Sequence, residues 1–307
     1  LLASIPGEFL LHDVFRNGRV LLERDSESWE TVGTSSGDAR ERSLSWLDRS
    51  VVADISADGK TLLFNETGAG AGAPSAVYIR RTDGSPAIRL GDGKALALSP
   101  DGKWVLARLS QSHMVLLATG AGQPRSLSSG GIRLEEAGAF FPEGRRILLA
   151  GAEAGHDVRL YVQDVDGAEP RAITPEGTHI SAPGNPISPD GKWVAALNAD
   201  GSMSLYSVDA RATVPPQPMT GGVQGKVLRW SADGRAVFVR EWSHPEVASV
   251  YRIDPWSGHK ELWKKFMPTE PLGSGSVSVV VMSPDGKSYA YTYQRYFSDL
   301  FLVEGLK

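Results

Sequence analysis

The chain reads as an all-β protein, a seven-bladed β-propeller of four-stranded antiparallel blades. Three observations predict it. A pentapeptide of the form Ser-Pro-Asp-Gly-Lys recurs from end to end. Each copy is followed by a run of β-branched, aromatic and leucine residues. No segment shows the period of a long amphipathic helix. The sharpest copies occupy 99–103, 188–192 and 283–287, with looser ones at 56–60, 141–145, 231–235 and, most worn, 15–19. Their glycines stand at 18, 59, 102, 144, 191, 234 and 286, giving intervals of 41, 43, 42, 47, 43 and 52 residues. That spacing suits one propeller blade per repeat, with six or eight blades as the alternatives.

The residues of the pentapeptide favour a hairpin turn. Proline presets φ near −65° at the second position, aspartate suits the third, and glycine takes the left-handed conformation that a Cβ resists. The serine hydroxyl can bond a backbone N–H inside the turn. With this turn joining strand A to strand B, the blades parse as 8–46, 51–90, 94–128, 134–174, 181–219, 226–264 and 276–304. In the first, strands A to D are 9–14, 19–24, 28–32 and 42–46; in the second, 51–55, 61–65, 76–80 and 87–90. The third takes 95–98, 104–109, 114–118 and 125–127, and the fourth 136–141, 146–150, 159–163 and 171–174. The fifth has 181–187, 193–198, 204–208 and a proline-broken strand near 217–219; the sixth has 227–230, 236–240, 249–253 and 261–264. The seventh supplies only 277–282, 288–293 and 299–303, so the apolar stretch 1–5 is expected to close the ring as its fourth strand and remove two sheet edges. Tight C-to-D turns at Thr82-Asp83-Gly84-Ser85, 164–167 and 254–258 support the parse.

Bulk composition bounds the function. A net charge of −4 without a basic run argues against nucleic acid as a partner. The absence of cysteine among 307 residues excludes disulfides, thiolate chemistry and Cys-ligated zinc. No apolar run approaches the ~18 residues a bilayer span requires, so no membrane insertion is expected of this stretch. Beginning at Leu1 without a methionine or a charged leader, the chain reads as a piece of something longer.

Apparent catalytic strings fail on context. Gly33-Thr34-Ser35-Ser36-Gly37 matches G-x-S-x-G, but it lies in a Ser/Gly loop between strands with no helix following. Gly68, Gly70 and Ala73 fit a dinucleotide fingerprint, yet Pro74 and a strand follow where a helix must begin. Asp164 and Asp166 before Gly167 begin like a calcium loop whose later ligands do not follow. The six histidines show no metal-ligand spacing. We therefore expect no catalytic residue, metal or cofactor.

Binding residues are expected where B-to-C and D-to-A connections share one face at the rim of a central channel. These connections offer Arg24, Asp25, Glu66, Arg108, Glu153, His156, His179, Trp242, His244, Arg295 and Tyr296. Large rings such as Trp242 and Tyr296 in loops cover something or bind something. The expected partner is a small molecule, peptide or protein of unknown identity.

The pentapeptides, with Leu160-Tyr161-Val162-Gln163-Asp164 and Ala172-Ile173-Thr174-Pro175, resemble the WD40-like (PD40) repeats of TolB-type propellers. Longer strings such as Glu41-Arg42-Ser43-Leu44-Ser45-Trp46-Leu47-Asp48 and Ser298-Asp299-Leu300-Phe301-Leu302-Val303-Glu304-Gly305 are similar to the C-terminal propeller region of bacterial membrane-anchored, eukaryotic-like serine/threonine kinases. That resemblance implies an extracytoplasmic sensor or interaction domain. The kinase Gly-rich loop, H-R-D and D-F-G motifs do not occur here, so no kinase activity is expected of this stretch. The alternatives are a metal-dependent, lactonase-like propeller hydrolase, or the gating propeller of a prolyl-oligopeptidase-type enzyme.

Overall fold

In the computed structural model, which describes residues 9–35, 37–72, 74–209, 214–220, 224–241, 247–268 and 274–304, the repeats build a ring of six blades. The described residues open with β1 (Phe9–Val14), a long β2 (Val20–Ser35) and β3 (Asp38–Ser43). Three four-stranded blades follow. The first holds β4 (Ser50–Ile55), β5 (Thr61–Glu66), β6 (Ala76–Arg81) and β7 (Ile88–Asp92). The second holds β8 (Lys94–Leu98), β9 (Trp104–Ser110), β10 (His113–Ala118) and β11 (Arg125–Leu127). The third holds β12 (Arg133–Phe140), β13 (Arg146–Ala152), β14 (Arg159–Asp164) and β15 (Arg171–Ala172).

The next blade is thinner, with β16 (Trp193–Leu197), β17 (Met203–Ser207) and β18 (Gln217–Pro218). Its inner strand, expected over 181–187, is reduced to a bridge between Ile187 and Val194. Pro183 and Pro186 bring no amide to that ladder. A complete blade follows, with β19 (Gly225–Trp230), β20 (Val237–Glu241), β21 (Ala248–Ile253) and β22 (Lys260–Phe266). The chain then adds β23 (Ser274–Met282) and β24 (Tyr289–Val303).

The turns form as their residues require. All seven repeat glycines have φ between +69° and +81°. In five turns the serine hydroxyl donates to the aspartate at 2.6 Å and accepts the amide five residues on at 2.9–3.0 Å. The same carboxylate accepts the amide two residues beyond it at 3.0–3.1 Å. Blades stack through their apolar faces, burying Leu62, Leu106, Leu148, Val194 and Val237 completely.

The expected seventh blade does not exist. β23, β24, β2 and β3 share one sheet, so the outer strands of the expected first blade complete the expected last one. Gly33 pairs with Ala290 and Trp29 with Gln294. The reason is local. Residues 288–304 contain no glycine or proline to end the strand, and neither do residues 20–32. β24 and β2 therefore continue past the ring, and with β1 they form a three-stranded arm, Val20 pairing with both Val303 and Val14. The worn turn at 15–19 caps this arm rather than a blade. Ring closure is accordingly made by β2 and β3; the expected closing strand 1–5 lies outside the described residues.

Closure is hydrogen-bonded as well as packed. Thr31 and Thr292 share a buried hydroxyl contact at 2.8 Å across the β2–β24 seam, and Thr292 accepts the Val52 amide at 3.0 Å. Tyr289 and Tyr291 donate their hydroxyls to Glu41 at 2.8 and 3.0 Å, and burial together with that carboxylate pushes both phenols up.

Candidate binding site at the channel mouth

The inner strands β4, β8, β12, β19 and β23 surround the ring axis, and each carries a bulge. Their registers slip between Val52 and Asp54, Ala95 and Ala97, Leu134 and Gly138, Val227 and Arg229, and Val277 and Val279. A bulge adds one unpaired residue and re-aims its side chain.

At the end of the ring where these strands begin lies a cavity of about 460 Å3. Its wall is apolar, with Val52, Leu96, Ala137, Val158 and Ile180 among the lining residues. Its polar groups are Asn65, Lys94, Glu135, Glu136 and His179. Lys94 and Arg108 both pair with Glu136, and Arg108 also donates to the Leu134 carbonyl at 3.1 Å. Burial opposes ionisation of Glu136, but the two cations outweigh it and hold the carboxyl below its ordinary range. Asn65 is fixed from behind, accepting the Ala95 amide at 2.8 Å. The exposed His179 ring makes no hydrogen bond among the described residues; its backbone is held by a two-way bridge to Leu197.

At the turn end a second cavity of about 290 Å3 is lined by Ile55, Leu98, Phe140, Ile187, Trp230 and prolines of the repeat turns. Asp54 and Arg229 sit at its inner limit, 3.2 Å apart and only 15% and 12% exposed. Arg229 also donates to the Met282 carbonyl at 2.9 Å, and Asp54 accepts the Leu98 amide at 3.0 Å. Burial pushes the Asp54 carboxyl up, against the pull of Arg229 and two amides.

The residues expected at the rim scatter across three places. Arg108 and His179 stand at the mouth. Arg24, Asp25, Arg295 and Tyr296 belong to the arm and its base, where Arg24 meets Asp299 at 2.8 Å and Arg295 meets Glu30 at 3.0 Å. Asp25 and Tyr296 line an open hollow there with Arg49 and Phe297. Glu153 is held by Arg159 at 2.6 Å and Tyr161 at 3.1 Å, while His156 pairs with Glu176 at 2.7 Å. Glu66 is fully buried rather than on the rim, bonded to Ser50 and the Leu47 amide, and burial pushes its carboxyl up. Trp242 and His244 lie outside the described residues. Lys94, Glu135 and Glu136 were not expected, because they open inner strands instead of lying in loops. Among the described residues no three His, Asp or Glu side chains converge as metal ligands.

No protein-family model matches the chain, and no curated protein does. Among solved structures it is similar to a putative TolB from Agrobacterium tumefaciens, at 19% identity and a TM-score of 0.60, over 89% of this chain and 99% of that one. TolB from Acinetobacter baumannii gives 13% identity and a TM-score of 0.53, over 87% of this chain and 63% of that one. An oligogalacturonate lyase in complex with manganese gives 14% identity and a TM-score of 0.54, over 92% and 77%. At these identities the likeness is one of fold, and the fold is that of the TolB-type β-propellers.

Proposed function

We propose that the chain is a non-catalytic binding module, a rigid ring that holds a small molecule, a peptide or a segment of a partner protein at its channel mouth. The carrying observation is the 460 Å3 cavity, with its apolar wall and its rim of Asn65, Lys94, Glu135, Glu136 and His179. The wall suits an apolar moiety, and the convergent polar groups fix its orientation. Asn65, Lys94, Glu135 and Glu136 are held by strands and His179 by its backbone bridge to Leu197, so the rim is preorganised. The finer reading, an extracytoplasmic sensor or interaction domain of a larger membrane-anchored signalling protein such as a serine/threonine kinase, rests on the resemblance of the strings quoted above.

A thermal-shift screen of small molecules and peptides tests the reading. A ligand at 100 times its Kd adds about 2.7 kcal/mol to stability. Filling the cavity with Ala137→Trp should abolish that gain, and His179→Ala should weaken it. Ligands whose shift survives Ala137→Trp would place binding elsewhere. The manganese of the lyase belongs to that protein; stoichiometric retention of Mn2+ by this chain through His179 would replace the binding reading with an enzymatic one.

A further inference from the structure

The arm is built unlike any blade. Nine of the sixteen exposed large hydrophobic side chains among the described residues lie on it, led by Leu300 at 66%, Val14 at 59% and Leu10 at 58%. Side chains of roughly 150–250 Å2, half open, leave on the order of 800 Å2 of apolar surface. The registers divide it between the arm's two faces, Leu11, Val14 and Phe301 on one and Leu10, Leu300 and Leu302 on the other, so each face holds a patch within the about 300–600 Å2 found on monomers.

Its two edges differ. The outer edge of β1 is spoiled by the register slip between Leu11 and Asp13 and by the polar pair His12 and Asp13, devices that discourage strand addition. β24 pairs with β23 only as far as Arg295, opposite Ser274, so residues 297–303 present an edge that no described residue pairs. That edge has no proline, lysine or bulge, and its one charge, Asp299, is engaged by Arg24. Charges further along the arm are also matched internally, His12 with Glu23 and Arg19 with Glu304 at 2.7 Å.

We propose that this edge is where a second copy of the chain docks, the two β24 strands pairing antiparallel about a twofold axis at Leu300. The stretch 297–303, which no described residue pairs on this side, is centred on that residue. Centring on Asp299 would oppose two carboxylates, whereas centring on Leu300 sets leucine on leucine and Asp299 opposite Phe301. Because only one edge of the arm accepts a strand, the assembly closes as a dimer instead of growing into a ribbon.

Analytical ultracentrifugation at micromolar concentrations should give twice the 32.9 kDa chain mass. Leu300→Lys should return the single-chain mass with the melting temperature of the ring unchanged, since Leu300 lies outside the ring. The chain has no cysteine, so Leu300→Cys is a clean probe. Mild oxidation should link two copies, while Ile88→Cys, equally open at 57% on β7, should stay single. A wild-type monomer at 100 µM, open-ended polymers, a dimer indifferent to Leu300→Lys, or association only with phosphatidylcholine vesicles would each overturn the proposal. Ligand binding at the channel mouth is read separately and survives either result.

Discussion

Replacing Ser99 by alanine isolates what the repeat serine contributes. Ser99 is 6% exposed, donates to Asp101 at 2.6 Å and accepts the Trp104 amide at 2.9 Å. Alanine removes a hydrogen bond to a charged acceptor, about 1.5–3 kcal/mol, and orphans a poorly hydrated amide, about 1–3 kcal/mol. The two share one oxygen and are not additive, so about 2–3 kcal/mol is expected in all. Equilibrium urea unfolding should show a lower midpoint at unchanged slope. A second readout separates this mechanism from loosened packing. The Ser99 hydroxyl, then the Lys103 amide, hold the Asp101 carboxyl below its ordinary range, and in the variant its titration should move back up. The fold supplies its own control in the turn at 141–145, where Phe141 replaces serine. There the backbone bonds remain, Phe141 N to Arg146 O and Gly144 N to Phe141 O, both at 2.9 Å, and Glu143 in the aspartate's place is held by Arg146 at 2.6 Å instead of by a serine. A loss below about 0.5 kcal/mol, or an Asp101 titration unmoved, would refute the reasoning.

Three further outcomes follow from the same geometry. Gly33→Val should destabilise by more than about 2 kcal/mol in urea, because a Cβ at Gly33 would stand 2.6 Å from the Tyr289 carbonyl oxygen and 2.9 Å from the Ala290 Cβ. Asp54→Ala should cost about 3–5 kcal/mol by stranding Arg229, and Asp54→Val combined with Arg229→Met should recover much of the loss. Acid should unfold the ring late. The turn aspartates Asp58, Asp101, Asp190, Asp233 and Asp285 are lowered in the fold, and Asp83, held by Ser85 and Arg81, to about 2. Lowered carboxyls contribute stability that is fully present above the unfolded value near 3.9 and is lost as pH falls through the folded values. Asp54 and Glu66, both raised, act in the opposite sense and gain as they protonate. A melting-temperature profile should hold or rise from pH 7 to about 4, as Asp54 and Glu66 protonate, and fall below it; a fall beginning near pH 6 would contradict the assignment.

The blade pattern was legible because each turn needs its residues individually: glycine for its positive φ, aspartate for two donors, serine for the carboxylate and the returning amide. The blade count was not, because the same glycine spacing also suits a plain hairpin. The copy at 15–19 lacks both serine and aspartate, but so does the blade turn at 141–145, so the turn residues alone do not mark which hairpin belongs to a blade. The bonds at 15–19 are those of any short hairpin, Phe15 N to Arg19 O at 2.8 Å and Arg19 N to Asn17 Oδ1 at 3.2 Å. What separates the two is the strand that follows: β2 runs on for 16 residues, whereas β13 after the turn at 141–145 has 7. At the site, Arg108 and His179 were legible as polar groups at the mouth-side ends of strands. Lys94 and Glu136 were not, because what brings them together is the packing of β8 against β12, across 42 residues. Glu66 was misplaced in a loop because it ends β5, where alternation already turns its side chain inward.

The ring also explains why its two candidate surfaces lie on one side. In a four-stranded blade the first two strands meet at the repeat turn, so every second strand runs from the turn end towards the mouth. β24 is such a second strand, and its continuation past Gln294 must leave the ring on the mouth side. The turn face is committed to stability, since its serines and aspartates are taken up by their own hydrogen bonds and its cavity is lined by the Asp54–Arg229 pair. Among the described residues the mouth face carries no such repeated network, so Lys94, Glu136, His179 and the arm can vary without unmaking a turn. A ligand in the cavity and a second copy on the arm therefore approach from the same direction, and arm pairing would set the orientation of the two mouths towards each other.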